Sequence, residues 1–202
     1  MIAQILISSI VGYLFGCIQT AYFVAKAVAG IDIRQQGSGN AGASNVVTVL
    51  GLKYGVITGV ADILKGVLPV VIVRALYPMT PALAYTAGMA AVIGHIFPFY
   101  LKFRGGKGVA TLMGMMLAYD LRLGLLFIVV ILGVVLVVDY IAIGSLTVFT
   151  LLPIVTFVLR LPLWCQVAAL LLAIIAYIKH AENVRRIRNG EEPRVRATIM
   201  KK

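Results

Sequence analysis

Charge is scarce in this chain of 202 residues: Asp, Glu, Lys and Arg together make up 12%, and only 7 residues are acidic. So little charge excludes an ordinary soluble domain, whose surface needs roughly twice as much. Cysteine is nearly absent. Cys17 and Cys165 both fall in apolar runs, which excludes a disulfide framework and reads as two small hydrophobes without the wet, electropositive setting of a reactive thiolate. The N-terminal Met1-Ile2-Ala3-Gln4-Ile5 has no basic residue, and the apolar run continues to about Ala29, so it reads as a first membrane span and not as a cleaved signal peptide. A long internal repeat is also missing, and no metal or cofactor is expected.

What is present is hydrophobic: 61% of the residues, with a mean hydropathy of +1.03. The expected fold is a single all-α integral membrane domain over residues 1–202, of about seven transmembrane helices, some short. A span needs about 20 apolar residues. Candidates are 2–29, 54–76, 81–100, 109–119, 121–138, 141–159 and 163–178; the fourth is short, and if it pairs tightly with the fifth around Asp120 and Arg122, five or six spans result. GxxxG spacings at Gly12/Gly16, Gly51/Gly55 and Gly55/Gly59 read as close helix packing.

The net charge of +11 lies mostly on one side of these spans. With seven crossings and the N-terminus outside, Lys26, Arg34, Lys53, Lys102, Arg104, Lys107 and the 8 basic residues from Lys179 onward share a face. Arg74, Arg122 and Arg160 fall opposite. The positive-inside rule makes the first face, and the C-terminus, cytoplasmic.

Three polar stretches lie on that face. The first is Gly37-Ser38-Gly39-Asn40-Ala41-Gly42-Ala43-Ser44-Asn45. Gly37, Gly39 and Gly42 fit G-x-G-x-x-G, but a membrane helix precedes them where a dinucleotide fold needs a strand. The local physics survives: glycines that turn N–H groups toward one point, the polar groups of Ser38, Asn40, Ser44 and Asn45, and a helix beginning just after. A merely solvated loop does not need glycines interleaved with asparagines at this density.

The second stretch runs from Gly94 to Gly108 and ends Arg104-Gly105-Gly106-Lys107-Gly108. It is not a Walker A loop, because Gly108 follows Lys107. It still sets a cation beside the free amides of a helix start, which is an anion cradle. Topology charge explains Lys102 and Arg104 equally well, but not the glycines around Lys107. The third stretch runs from Lys179 to Glu192, with His180 and Asn183 on one helical face, Gly190 as a stop, and Val184 and Ile187 suited to lie on the membrane. For Arg185, Arg186 and Arg188, anionic lipid binding is an equal alternative. Within the second span, Asp62 and Lys65 are costly alone and are expected to pair and brace the site from below, while His95 reads as a satisfied structural histidine.

These three stretches, in this order, resemble the signature motifs of the bacterial acyl-phosphate:glycerol-3-phosphate acyltransferases, the PlsY family. So do Asp32-Ile33-Arg34, Asp62-Ile63-Leu64-Lys65-Gly66 and Asn189-Gly190-Glu191-Glu192. The resemblance implies a seven-helix inner-membrane enzyme of phospholipid synthesis. It moves an acyl chain from acyl phosphate to the 1-hydroxyl of glycerol 3-phosphate, giving lysophosphatidate and phosphate. Its implied partners are those two substrates, the bilayer and the enzyme that makes acyl phosphate; nucleic acid is not among them.

By the same resemblance Ser38, Lys107, His180 and Asn183 are catalytic. Gly37, Gly39, Asn40, Gly42, Asn45, Arg104, Gly105, Gly106, Gly108, Ser145 and Glu192 line the substrates. An acyl phosphate is already activated, so the protein chiefly holds two phosphates together and orients a hydroxyl, whose proton goes to His180 or to a substrate phosphate oxygen. No H-x-x-x-x-D is present, since Tyr100 stands five residues after His95 and Arg185 five after His180; this argues against the soluble acyl-CoA acyltransferase mechanism.

Three positions depart from the family pattern: Thr48 and Asp139 stand where it has arginines, and Ala142 where it has a serine. A missing guanidinium removes about 1.5–3 kcal/mol from an anion site. Either Arg34 or Lys53 substitutes, or the chain is a paralogue with altered substrate or a scaffolding role. The rival from another class is a small-anion carrier, against which stand charges at one face instead of the midplane and the lack of an inverted repeat.

Overall fold

The structure is a computed structural model that describes residues 1–200, with side chains for residues 1–197. Lys201 and Lys202, the last basic residues of the tail, lie outside the described residues. Helices alone make up the regular structure among the described residues, and they pack as two units, Met1–Gly124 and 125 onward.

The first unit contains α1 (Ile2–Gly16), α2 (Thr20–Ala29), the short α3 (Ala43–Leu50), α4 (Leu52–Leu76), α5 (Pro81–Ile96) and α6 (Val109–Tyr119). Its centre is α5, buried around nearly its whole circumference, with Leu83, Tyr85, Val92 and Ile96 sealed from solvent. Small residues make this packing tight. A Cβ on Gly12 or Gly16 would overlap the carbonyls of Ala87 and Ala91, so α1 and α5 meet backbone to backbone, as the GxxxG spacing predicts. Gly66 and Gly114 do the same for α4 and α6, against the carbonyls of Thr111 and Ile63. The large apolar side chains of α4, such as Val56, Val60, Leu64 and Leu68, point outward, as a lipid-facing surface requires.

The second unit holds the body of α7 (Leu121–Val138), α8 (Ile141–Val158), α9 (Leu163–Arg188) and α10 (Val195–Met200). Gly144 fits against Ile131 and Val135, and Phe149 and Leu152 of α8 and Leu172 and Ala176 of α9 are fully buried.

Among the described residues, six helical segments are long and apolar enough to cross a membrane, and Val109–Tyr119 is the short apolar one the sequence singles out. Several boundaries differ from expectation: α4 starts at Leu52 and α5 ends at Ile96. The first span is broken at Cys17–Gln19, and α9 runs unbroken to Arg188, so the third polar stretch is mostly helix continuous with its span.

Candidate active site

In the first unit the glycine strip follows a turn at Ile33–Gln35 and leads into the N-terminus of α3. Gly37 and Gly39 take positive φ, 55° and 71°, which permits the reversal between Gln36 and Asn40. One side chain ties the strip. Asn45, buried, accepts the Ser38 amide at 2.9 Å through Oδ1 and donates through Nδ2 to the carbonyls of Ile33 at 3.1 Å and Gln36 at 3.0 Å. Its amide is thus engaged by the strip's own backbone, which makes Asn45 a brace for the strip. Ser38 and Ser44 are exposed, and Asn40 is half-buried.

The second loop is folded with equal care. Lys102 and Phe103 both adopt left-handed backbone, with φ of 55° and 57°, an uncommon conformation for side chains of this size. The amide of Phe103 donates to the Pro98 carbonyl at 3.0 Å, and that of Arg104 to the Leu101 carbonyl at 3.2 Å. Gly105 and Gly106 then donate to the carbonyls of Ile96 and His95, each at 3.1 Å. Gly108 takes φ of 82° and caps α6, so the first-turn amides of α6 open beside Lys107. Arg104 is exposed.

The structure brings these two stretches together. A side chain on Gly106 would strike both the His95 ring and the Ala41 carbonyl, so only glycine fits between strip and loop. Arg34 adds a second tie, donating through Nη1 to the Leu101 carbonyl at 2.9 Å. Its guanidinium is also held by Asp32 at 2.6 Å and lies 5.5 Å from the Tyr22 ring centroid. The Arg34 hydrogen bond keeps the Asp32 carboxyl below its ordinary pKa range, and Asp32 raises that of Arg34 in return. Thr48 is exposed and donates to the Ser44 carbonyl at 3.1 Å, while Lys53 is exposed with its Nζ 5.8 Å from the Tyr54 ring centroid.

In the second unit, His180 and Asn183 share the buried face of α9. His180 Nδ1 lies 2.8 Å from the Ala176 carbonyl, which can only accept, so Nδ1 carries the hydrogen and the lone pair of the neutral ring sits on Nε2. Asn183 donates to Glu192 Oε1 at 2.6 Å, and Arg186 donates to Glu192 Oε2 at 2.7 Å. Glu192 therefore folds the chain beyond Gly190 back onto α9. Val184 and Ile187 are half-buried. Ser145 is buried on α8 and donates to the Ile141 carbonyl at 2.9 Å.

Asp139 has a partner of its own. It takes φ of 65° between α7 and α8, and its carboxylate accepts the Arg196 amide at 3.0 Å while its carbonyl accepts the Val195 amide at 3.1 Å. Arg196 also donates to the Leu136 carbonyl at 2.6 Å. No sequence signal pointed to this latch.

A family model described as glycerol-3-phosphate acyltransferase matches residues 6–190. Curated glycerol-3-phosphate acyltransferases are similar along their length. That of Clostridioides difficile (strain 630) is 40% identical over 194 residues, covering 94% of this chain and 95% of its own. That of Geobacter sulfurreducens is 40% identical over 193 residues, covering 95% and 98%. The crystal structure of PlsY (YgiH), an integral membrane glycerol 3-phosphate acyltransferase, superposes in its glycerol 3-phosphate form with a TM-score of 0.84 at 35% identity, covering 94% of each chain. Its lysophosphatidic acid form gives 0.79 at 33% identity, with the same coverage. With that likeness running from α1 through both glycine loops and along α9, the chain belongs to the glycerol-3-phosphate acyltransferase family of integral membrane enzymes.

Proposed function

We propose that this acyltransferase draws its acyl group from an acyl phosphate and delivers it to the 1-hydroxyl of glycerol 3-phosphate at the cytoplasmic face of the inner membrane. The 1-oxygen bonds to the acyl carbon, the bond from that carbon to the phosphate oxygen breaks, inorganic phosphate leaves, and the hydroxyl proton passes to an acceptor. The observation that carries the reading is the Gly105–Gly106–Lys107 loop, pinned by two backbone hydrogen bonds at the start of α6 and packed against the glycine strip. Backbone amides and one ammonium group there suit the phosphate of glycerol 3-phosphate.

In the second unit, His180 keeps its proton on Nδ1, which makes Nε2 the basic nitrogen of its neutral ring. In the first unit Ser38 and the half-buried Asn40 supply neutral hydrogen-bonding groups and Asn45 keeps the first motif in shape; in the second unit Glu192 does so for the third motif. An enzyme that makes acyl phosphates must supply the donor. The positive-inside distribution supports an N-terminus outside and a C-terminus in the cytoplasm.

Purified protein given acyl phosphate or acyl-CoA separates the donors. Lysophosphatidate from acyl phosphate alone is expected; equal turnover of the thioester removes the donor assignment while leaving the acceptor intact.

A further inference from the structure

A membrane span that breaks must find partners for the carbonyls it frees, because lipid offers none. The first span breaks between Gly16 and Thr20, and three of its carbonyls are taken by side chains, two from elsewhere in the first unit and one from within the break. Tyr100 Oη donates to Cys17 at 2.7 Å, and Lys65 Nζ donates to Ile18 at 2.7 Å while pairing with Asp62 at 2.8 Å. Gln19 Nε2 lies 3.4 Å from the Gly16 carbonyl, within its own break.

Gln19 has a second and shorter bond, and it leads out of the break. Its Nε2 donates to the His95 carbonyl at 3.1 Å, the same oxygen that accepts the Gly106 amide at 3.1 Å. One carbonyl thus joins the break in α1–α2 to the loop before α6. Below that carbonyl the His95 ring supports Gly106 and lies with Nδ1 3.8 Å from Asp62 Oδ1.

Gln19 is fully buried, and among the described residues its Oε1 receives no donor. An unsatisfied buried amide oxygen costs stability, a cost set against the two carbonyls, Gly16 and His95, that the amide nitrogen serves. A glutamine kept there is better explained by what its nitrogen does than by folding alone.

We infer that Gln19 is a positioning residue for the phosphate loop: through the shared His95 carbonyl it fixes Gly106, and hence Lys107, with the Asp62–Lys65 pair holding the break in place. The inference rests on the assignment of that loop to glycerol 3-phosphate. Lys107 makes the contact; Gln19 sets where Lys107 stands.

The test is binding of radiolabelled glycerol 3-phosphate to full-length protein in detergent, without an acyl donor, beside steady-state kinetics. Gln19→Met should weaken glycerol 3-phosphate binding and raise its KM at least fivefold. The KM for acyl phosphate should stay within twofold, with a thermal midpoint close to the parent's. Unchanged glycerol 3-phosphate binding by Gln19→Met overturns the inference, as does an equal rise in both KM values. Lys107→Ala is the control for the underlying assignment: if it binds glycerol 3-phosphate as the parent does, the loop is misassigned, whatever Gln19 does. Lys65→Met combined with Asp62→Asn, which removes the buried pair without stranding a charge, should reproduce the selective KM rise; an unselective effect counts against the brace.

Discussion

Arg34 is bound on both sides: Asp32 grips its guanidinium through both carboxylate oxygens, and its Nη1 reaches the Leu101 carbonyl at 2.9 Å. This arginine joins the first motif to the second loop and cannot also swing to replace the guanidinium missing at Thr48. Lys53, exposed beside Tyr54, has no such commitment.

Thr48→Arg is therefore expected to add an anion contact. The gain should be about tenfold in affinity for a phosphate-bearing substrate, or about 1.4 kcal/mol, and should shrink at high salt because the position is exposed. Substrate titrations at low and high salt check it. Lys53→Ala in the same series reports whether that lysine already fills the gap, in which case Thr48→Arg lowers activity instead.

The Asp32–Arg34 tie has a pH signature. The folded carboxyl titrates below its unfolded value, so its stabilisation is complete above the ordinary carboxylate range and fades as pH falls through the lowered pKa. Thermal midpoints should show no change from this pair between about pH 8 and 6 and a loss below about pH 4. Asp32→Asn should flatten that acid limb, and an unaltered limb would show that other carboxylates control it.

Lys107→Ala should raise the KM for glycerol 3-phosphate by at least an order of magnitude, the scale of a lost charge-assisted hydrogen bond. The KM for acyl phosphate should move far less. Separate titration of each substrate decides, and a selective rise for the acyl donor reassigns the lysine.

Cys17 and Cys165 are both buried, Cys17 contributing its carbonyl and not its thiol to Tyr100. The double alanine variant should keep most of its activity, and no acyl-cysteine should appear on mass spectrometry during turnover. Loss of activity in a folded double variant would point to a covalent thioester route.

Asp139→Ala should release the segment beyond Glu192, because it removes the acceptor for the Arg196 amide. Limited proteolysis is expected to cut that segment several times faster than in the parent. Equal protection would mean that Glu192 and the bonds to the Asp139 and Leu136 carbonyls suffice to hold it.

Most of the fold was legible, because lipid-facing helices announce themselves as long apolar runs; the short 109–119 helix and the packing role of Gly12 and Gly16 were readable for the same reason. The break after Gly16 was not, since Cys17 and Ile18 are as apolar as their neighbours and the groups that stabilise the break come from α4 and the turn after α5. Asp62 and Lys65 were expected to pair, and they do. Their reach to Ile18 was invisible without tertiary structure. Which polar residues of the motifs brace the chain was not legible: Asn45 and Glu192 look like ligands in a polar motif, and their hydrogen bonds point into the chain itself.

The contact of Gly12 and Gly16 with the carbonyls of Ala87 and Ala91 also bears on how the protein is made. The α1 helix leaves the ribosome well before α5 exists, so its small-residue face has only lipid against it until α5 is inserted. Assembly of the first unit is then gated by synthesis of its fifth helix, and a nascent chain stalled before Pro81 presents an unfinished seam to the membrane's quality-control machinery.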